Sequence, residues 1–399
     1  MCISVPGGAN RPAGPRRQGK FDNPATSLRA LMGGPKVLIS CSAPLSRRDG
    51  TSVRTMSAFR ALQDTFDTRI LTLDDKSASV VADPTNRTTV LHPKWRSLWP
   101  IDLVRFLLKN DFDVVVSEND WRWLPVLLLL SRLRGYKVVF DAHGILSFEM
   151  EEMGTGRASN RFNRLREKIL VPRCDLVIAP SQDIESFYRG HSRRIEIVRV
   201  FVDTGLWNPA RRDRPRSATK SVGIIGPFDA SRNKSALEFL ERNIDRFPPS
   251  IQFVVIGRCS TRIEHPRVRF TGFIESAEEY NKTISDLDAV LVVEGMATSG
   301  PLTKILEPMS HGIPVFTNPK GLMGLDFAEN GSNIFVAEDG ELPATMAKAL
   351  ADEDLMRRVG TFARELVETH YSCEKESKRL VSAISRLMEP HQKDRPGAR

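Results

Sequence analysis

Short runs of β-branched and other apolar residues recur along almost the whole chain, separated by longer amphipathic stretches. The first series reads Lys36–Ser40 (KVLIS), Thr68–Leu73 (TRILTL), Asp113–Ser117 (DVVVS), Lys137–Asp141 (KVVFD), Asp175–Pro180 (DLVIAP) and Ile195–Val200 (IEIVRV). Strands this uniformly apolar must be covered on both faces. Helical stretches such as Val53–Gln63 and Leu124–Arg134 lie between them and can supply the cover. The pattern predicts a parallel sheet with helices on both sides.

The series then stops and starts again. Trp207–Lys220 (WNPARRDRPRSATK) holds turn formers, five basic residues and almost nothing apolar, and reads as an interdomain linker. Six further runs follow: Ser221–Gly226, Gln252–Gly257, Val268–Gly272, Ala289–Glu294, Pro314–Asn318 and Asn333–Ala337, with helices expected at Ala236–Asp245, Thr303–Ser310 and Leu342–Thr369. A closing helix, Cys373–Met388, has no place in that second sheet. A chain of 399 residues is long enough for two such units. The expected organisation is a disordered leader over 1–34, a first Rossmann-like domain over 35–206, the linker over 207–220, a second Rossmann-like domain over 221–371, the closing helix over 372–389 and a disordered tail over 390–399. Two doubly wound sheets in tandem put a cleft between their carboxyl edges, where open α/β folds bind ligands.

Composition removes several other classes. With 41% hydrophobic and 27% charged residues the bulk of the chain can bury real cores. Five scattered cysteines, Cys2, Cys41, Cys174, Cys259 and Cys373, form no CxxC pair and have no histidine at ligand spacing, so reduced thiols in a cytosol are expected. The longest apolar run, Leu124–Leu130, falls far short of the ~20 residues that span a bilayer. The formal charge of +9 is unevenly placed: 31 Lys and Arg face 22 Asp and Glu up to Asp203, and 27 face 27 beyond it. A basic half suits a phosphorylated substrate, an anionic membrane or nucleic acid. No aromatic interleaving and no nucleic-acid module accompanies it, so nucleic acid is not expected.

The most informative stretch is Ser299–Gly324 (SGPLTKILEPMSHGIPVFTNPKGLMG). Gly300 and Pro301 break the chain after an apolar strand, and Leu302–Ser310 reads as a helix whose amino end faces the cleft and suits phosphate. Lys304 and Glu307, three apart, share one face. They offer a cation for a diphosphate and a carboxylate able to accept both hydroxyls of a ribose. An isolated pair of this kind is usually a solvated ion pair; the HGIPVFTN strand and the Gly-rich turn beside it point to a site.

This string resembles the donor-binding signature of GT-B-fold retaining glycosyltransferases, especially family 4 and the related group 1 carboxyl domains. The resemblance covers the second half of the chain and, more faintly, the first. It implies two Rossmann-like domains facing across a cleft, tied together by a closing helix that crosses back onto the first domain. It implies that Glu307 holds the nucleotide ribose. The family pattern is Glu, seven residues, Glu, and the first position here is Ser299, so the donor-sugar contacts made there in relatives are altered. In Gly226–Leu240 (GPFDASRNKSALEFL) the family has Gly-Arg and then a Lys; Pro227 replaces the Arg, so Gly226 and Lys234 are the donor-side candidates, with Asn233 as a helix cap the alternative. The loop Ser42–Phe59 resembles the family's Gly-containing first loop at Gly50, and its Arg47 and Arg48 are either surface charges or ligand contacts. In FDAHG (Phe140–Gly144) a histidine stands at a strand's carboxyl end. The family commonly has one there near the donor sugar, which makes His143 the first-domain candidate. Glu149 and Glu151 follow, either to contact acceptor hydroxyls or to solvate the loop.

Other patterns fail. Asp111–Asp113 and Asp286–Asp288 have the Asp-x-Asp form of metal sites, but each leads straight into an apolar strand. No P-loop, GxSxG or dinucleotide fingerprint is present. The resulting expectation is a retaining, metal-independent transferase with no cofactor beyond its nucleotide sugar. The donor side is Gly50, Gly226, Ser299, Gly300, Pro301, Lys304 and Glu307, and the transfer itself falls to His143, Lys234 and Lys304. The acceptor is a glycan or a lipid-linked hydroxyl, met on an anionic membrane through the basic half and the stretch from Trp121 and Trp123 to Arg134. A non-catalytic nucleotide or glycan binder of the same fold is the rival.

Overall fold

The structure is a computed structural model that describes residues 34–42, 45, 50–73, 87–91, 99–205, 219–229 and 231–389. The expected leader and tail, most of the linker, and the Arg47/Arg48 pair lie outside these residues.

The first half builds β1 (Lys36–Cys41), α1 (Gly50–Leu62), β2 (Asp67–Leu73), β3 (Thr88–Leu91), α2 (Trp99–Lys109), β4 (Val114–Glu118), α3 (Leu124–Arg134), β5 (Lys137–Asp141), α4 (Leu146–Glu152), α5 (Arg157–Leu170), β6 (Leu176–Ala179), α6 (Gln182–Arg189) and β7 (Ile195–Ile197). The second builds β8 (Lys220–Ile225), α7 (Ser231–Asn243), β9 (Ile251–Ile256), β10 (Val268–Gly272), α8 (Ala277–Ser285), β11 (Ala289–Val292), α9 (Thr303–Ser310), β12 (Val315–Thr317), α10 (Pro319–Leu322), β13 (Phe335–Val336), α11 (Leu342–Leu350), α12 (Glu353–His370) and α13 (Cys373–Met388). All strands in both sheets are parallel, in the orders β3-β2-β1-β4-β5-β6-β7 and β10-β9-β8-β11-β12-β13. Each sheet therefore reverses direction between its first and fourth strands, which opens a crevice at the carboxyl ends there.

The expected strands all form, and β3 is an addition: Thr88–Leu91 is too short and too polar at its start to stand out from the loop before it. The expected long helix Leu342–Thr369 is two helices, because Ala351 and Asp352 break it and the Asp352 side chain accepts from Leu355 N to start α12. The Asp-x-Asp strings do structural work at the opposite edge from the crevice. Asp113 accepts the backbone N–H of Lys36 at 2.7 Å, and Asp288 accepts that of Ser221, also at 2.7 Å. In each half the carboxylate at the head of the fourth strand thus satisfies the edge N–H of the first strand, which has no ladder partner.

Two crossings join the halves. Val202 N donates to the Tyr371 carbonyl at 2.9 Å and Cys373 N to the Val202 carbonyl at 2.8 Å, so the outgoing and returning chains run side by side. Beyond that point α13 lies on the first half: Leu380, Ala383 and Ile384 are buried with Val37, Ile39 and Leu62 in one cluster. The closing helix is a crossover, and its apolar face explains why: nothing in the second sheet remains for it to cover.

Candidate functional site

The first half's contribution starts from a problem of charge. Strands β4 and β5 end in Glu118 and Asp141, which stand directly opposite each other in the parallel register and are both buried. Two carboxylates out of water side by side require a cation. Arg54, on α1, supplies it: Nε lies 2.9 Å from one Asp141 oxygen and Nη2 2.7 Å from the other, a bidentate pair, and Nη2 also donates to the Val198 carbonyl at 3.1 Å. Burial pulls the Arg54 guanidinium down, but Asp141, joined by Glu118 and Glu376, more than offsets it and holds it above its ordinary range. His143 completes the group, with Nε2 2.9 Å from a Glu118 oxygen. Burial and the neighbouring Asp141 push the Glu118 carboxyl up, against the pull of His143 and Arg54. The ring is thereby fixed at the mouth of the first sheet, at its carboxyl edge.

Glu118, Asp141 and His143 lie close enough together to be weighed as metal ligands. The donor set argues for a different use, because both Asp141 oxygens already accept from Arg54 and the positive charge the site needs is covalently present.

The second half faces this group with the amino end of α9. Gly300, Pro301, Leu302, Thr303, Lys304 and Glu307 line a cleft of 510 Å³ together with Gly50, Arg54, His143, Glu149, Gly226 and Asn233. The Lys304 ammonium contacts the buried Glu294 carboxylate and donates to Asn233 Oδ1 at 2.8 Å. Glu307 accepts from the Tyr280 hydroxyl at 2.8 Å. Burial, and then Glu307 itself, push that hydroxyl well above its ordinary range, so it remains a donor. Ile225, Ile256, Phe273 and Ile274 give the same end of the cleft an apolar wall. A larger groove, 1460 Å³, opens at the amino edges of the first sheet beside Asp113, Lys137 and Asp175. That is the wrong edge for ligand binding in an open α/β sheet.

The halves touch across the cleft. Ser299 Oγ accepts from Ile145 N at 2.6 Å and lies 3.4 Å from a Glu149 oxygen, and Ala297 N donates to Glu152 at 3.0 Å. A Cβ on Gly300 would stand 2.3 Å from the His143 carbonyl, so only glycine fits this close approach. Farther back, Asp326 of the second half accepts from Gln182 N, at the start of α6, at 3.0 Å and pairs with Arg199 at 2.9 Å.

Gly50, His143, Gly226, Gly300, Pro301, Lys304 and Glu307 thus come together in one cleft. Two of the sequence candidates stand apart. Ser299 is buried behind the lining, in the contact between halves. Lys234 is exposed on α7 beside Asp229 and is not among the lining residues, whereas its neighbour Asn233 points inward, bonded to Lys304 and, at 3.1 Å, to the Pro227 carbonyl. Asn233 is the third residue of α7 and not its cap; its side chain serves the cleft instead. The Trp121 and Trp123 side chains are buried in the first core, so they present no surface of their own. Sequence reading passed over Arg54 and Arg258; the signal for Arg54 was the pair of carboxylates closing adjacent strands, while Arg258 shows itself only by lining the cleft over Phe273.

Two doubly wound parallel sheets, closed by a crossover helix and facing each other across a cleft with a helix amino end on one side, define the GT-B class. The comparisons agree. Residues 48–206 match the model of Glycosyltransferase Family 4, and residues 232–382 match the glycosyl transferase-like model. HepE from Anabaena, solved in complex with UDP-glucose, superposes with a TM-score of 0.70 at 16% identity, covering 88% of this chain and 99% of that one. Sucrose-phosphate synthase from Thermosynechococcus elongatus gives 0.72 at 16% identity, with 88% and 99% covered. A TarM mutant from S. aureus, in complex with Fondaparinux, alpha-GlcNAc-glycerol and UDP, gives 0.67 at 12% identity, with 89% and 100% covered. No curated protein matches by sequence. Each half of the chain thus matches a glycosyltransferase model, and the fold is that of the GT-B glycosyltransferases.

Proposed function

We propose that the protein transfers a sugar from a nucleoside diphosphate sugar to a hydroxyl of a glycan or lipid-linked acceptor, with retention of anomeric configuration and without a metal. The observation that carries this reading is the placement of the α9 amino end, Lys304 and Glu307 opposite His143 in one cleft. Glu307, beside the apolar wall, accepts the ribose hydroxyls while the base lies against Ile256 and Phe273. The diphosphate lies over the first N–H groups of α9, within reach of Lys304 and Arg258.

In the reaction the bond between the anomeric carbon and the β-phosphate oxygen breaks through an oxocarbenium-like state. The acceptor oxygen forms its bond to that carbon on the same face, and its proton passes to the departing phosphate oxygen. Nucleoside diphosphate and the glycoside are the products. The protein's work is to stabilise charge growing on the diphosphate and to hold the acceptor in place. Lys304 carries the first task, and its pairing with Glu294 and Asn233 keeps it aimed before the donor arrives. His143, fixed through Nε2 by Glu118, turns its other edge to the sugar. The reading places the protein in the cytoplasm, at the inner face of a membrane where its acceptor is lipid-linked.

UDP-sugars are the first donors to test, because the HepE and TarM structures hold UDP. Glu307→Ala is expected to weaken nucleotide-sugar binding ~10- to 100-fold in calorimetry, the loss of charged hydrogen bonds to two hydroxyls. Unchanged affinity sinks the assignment. A second reading, a non-catalytic binder, rests on Ser299, which stands where relatives have a glutamate and is spent here on the contact between halves. It predicts nucleotide binding with no release of nucleoside diphosphate from any donor when an acceptor extract is added.

A further inference from the structure

The first half carries an amphipathic face away from the cleft. On α3, Leu129 and Leu133 project into solvent four residues apart, with Leu133 72% exposed. On the neighbouring α5, Phe162, Leu165 and Ile169 are exposed at spacings of three and four, with Phe162 at 60%. A globular helix normally buries such a stripe. Here the buried side of α5 is its polar one: Asn160, Asn163 and Glu167 face the protein, and Glu167 accepts from Ser147 N and the Tyr188 hydroxyl, both at 3.2 Å. The helix is turned so that its apolar stripe faces outward.

Basic residues run beside the stripe. Arg157, Arg161, Arg164 and Lys168 follow one another at spacings of four, three and four along α5, all exposed, and Arg132 lies next to Leu133 on α3. Arg164 pairs with Glu151, while Arg132, Arg157, Arg161 and Lys168 have no carboxylate partner among the described residues. Glu167, the single acid of α5, is buried, and α3 has none. Arg166 ties α5 to the turn that precedes α3, donating to the Trp121 carbonyl at 2.6 Å with its guanidinium 5.8 Å from the Phe162 ring of its own helix.

We propose that this α3–α5 face docks on an anionic lipid bilayer, with the leucines, Phe162 and Ile169 entering the acyl boundary and the arginines and Lys168 meeting the headgroups. Large apolar side chains interleaved with cations of one sign suit an interface that is apolar below and negatively charged above. A second copy seated on the same face would set arginine against arginine. The position also serves the reaction: α5 packs on α4, whose Glu149 lines the cleft, so a lipid-linked acceptor enters over that rim. This deepens the proposed function and rests on it only for the acceptor's lipid link, because the face and the nucleotide site share no residue.

The test is co-sedimentation of the full chain with vesicles of neutral phosphatidylcholine alone or mixed with phosphatidylglycerol, at low and high salt. Binding confined to the anionic vesicles and lost in high salt is expected. Combining Arg157→Ser, Arg161→Ser and Lys168→Ser should weaken it on the order of a hundredfold. Leu133→Ser with Phe162→Ser should weaken it as well. Both variants should keep the parent's thermal stabilisation by UDP-sugar, which shows that they fold and separates failure of this proposal from failure of the donor site. Equal partition into neutral vesicles, no binding at low salt, or binding that neither variant changes overturns the proposal. A dimer in sedimentation velocity that Leu133→Ser with Phe162→Ser dissolves overturns it in favour of self-association.

Discussion

Replacing Arg54 by methionine keeps the length and apolar stem of the side chain and removes only the guanidinium. Asp141 loses both of its strong hydrogen bonds, and Glu118, opposite it in the sheet, loses the nearby guanidinium. Removing one partner of a buried ion pair costs about 3–5 kcal/mol. At roughly 2–4 °C per kcal/mol for a domain of this size, the first unfolding transition should fall on the order of 10 °C at pH 8. The pH dependence separates this cause from simple loss of packing. Burial and Asp141 already hold the Glu118 carboxyl above its ordinary range, and without the opposing pull of Arg54 its folded-state pKa rises further above the unfolded value. A carboxyl raised in this way binds more protons folded than unfolded, so its penalty is full above the folded pKa and fades as pH falls toward the unfolded one. The gap between variant and parent should therefore narrow by ~1.4 kcal/mol for each pH unit over which one proton is taken up on folding. Melting both proteins from pH 8 to pH 5 by calorimetry reads this directly. Adding Asp141→Asn should recover most of the loss at pH 8. A pH-independent gap together with no recovery would refute the charge argument.

Three further outcomes follow from the same geometry. His143→Ala should slow nucleoside diphosphate release at saturating substrate more than it raises the donor's dissociation constant, and a change confined to binding would remove His143 from the transfer step. Leu380→Ala combined with Ile384→Ala should cost the first domain about 4 kcal/mol or more, through cavities under α13, while leaving the second domain's transition in place; a shift confined to the second transition would mean that the crossover does not stabilise the first half. Asp326→Asn leaves Arg199 buried against an uncharged amide and weakens the cap on Gln182, so it should increase protease sensitivity near the crossings by roughly tenfold, a loss of ~1.4 kcal/mol; unchanged digestion would show that the pair does not hold the halves together.

Much of the fold was legible because parallel strands buried on both faces must be apolar along their whole length. Runs such as KVLIS, DVVVS and AVLVVE therefore announce themselves. β3 was hidden because a four-residue run at the edge of a sheet, beginning with two threonines, reads as loop. The Leu342–Thr369 stretch ran together because the helical period survives a two-residue break, and only the Asp352 cap marks it. In the site, Lys304 and Glu307 were legible from their spacing on one helix next to a glycine break. Lys234 and Asn233 were not separable in sequence, because adjacent helix residues point about 100° apart and which of them faces the cleft depends on how α7 sits on its sheet.

By itself the sequence determined most of the secondary structure, the division into two doubly wound units and the helix end suited to phosphate, all of which follow from periodicity and local backbone chemistry. Tertiary structure alone decided what depends on register and on the approach of distant segments. It set Glu118 against Asp141 and so called for Arg54, turned Ser299 from the cleft into the contact between halves, buried Trp121 and Trp123, and rotated α5 so that its leucine and phenylalanine stripe faces outward. Each of these is a balance of burial against charge between residues far apart in the chain, and no local pattern records the distance that closes it.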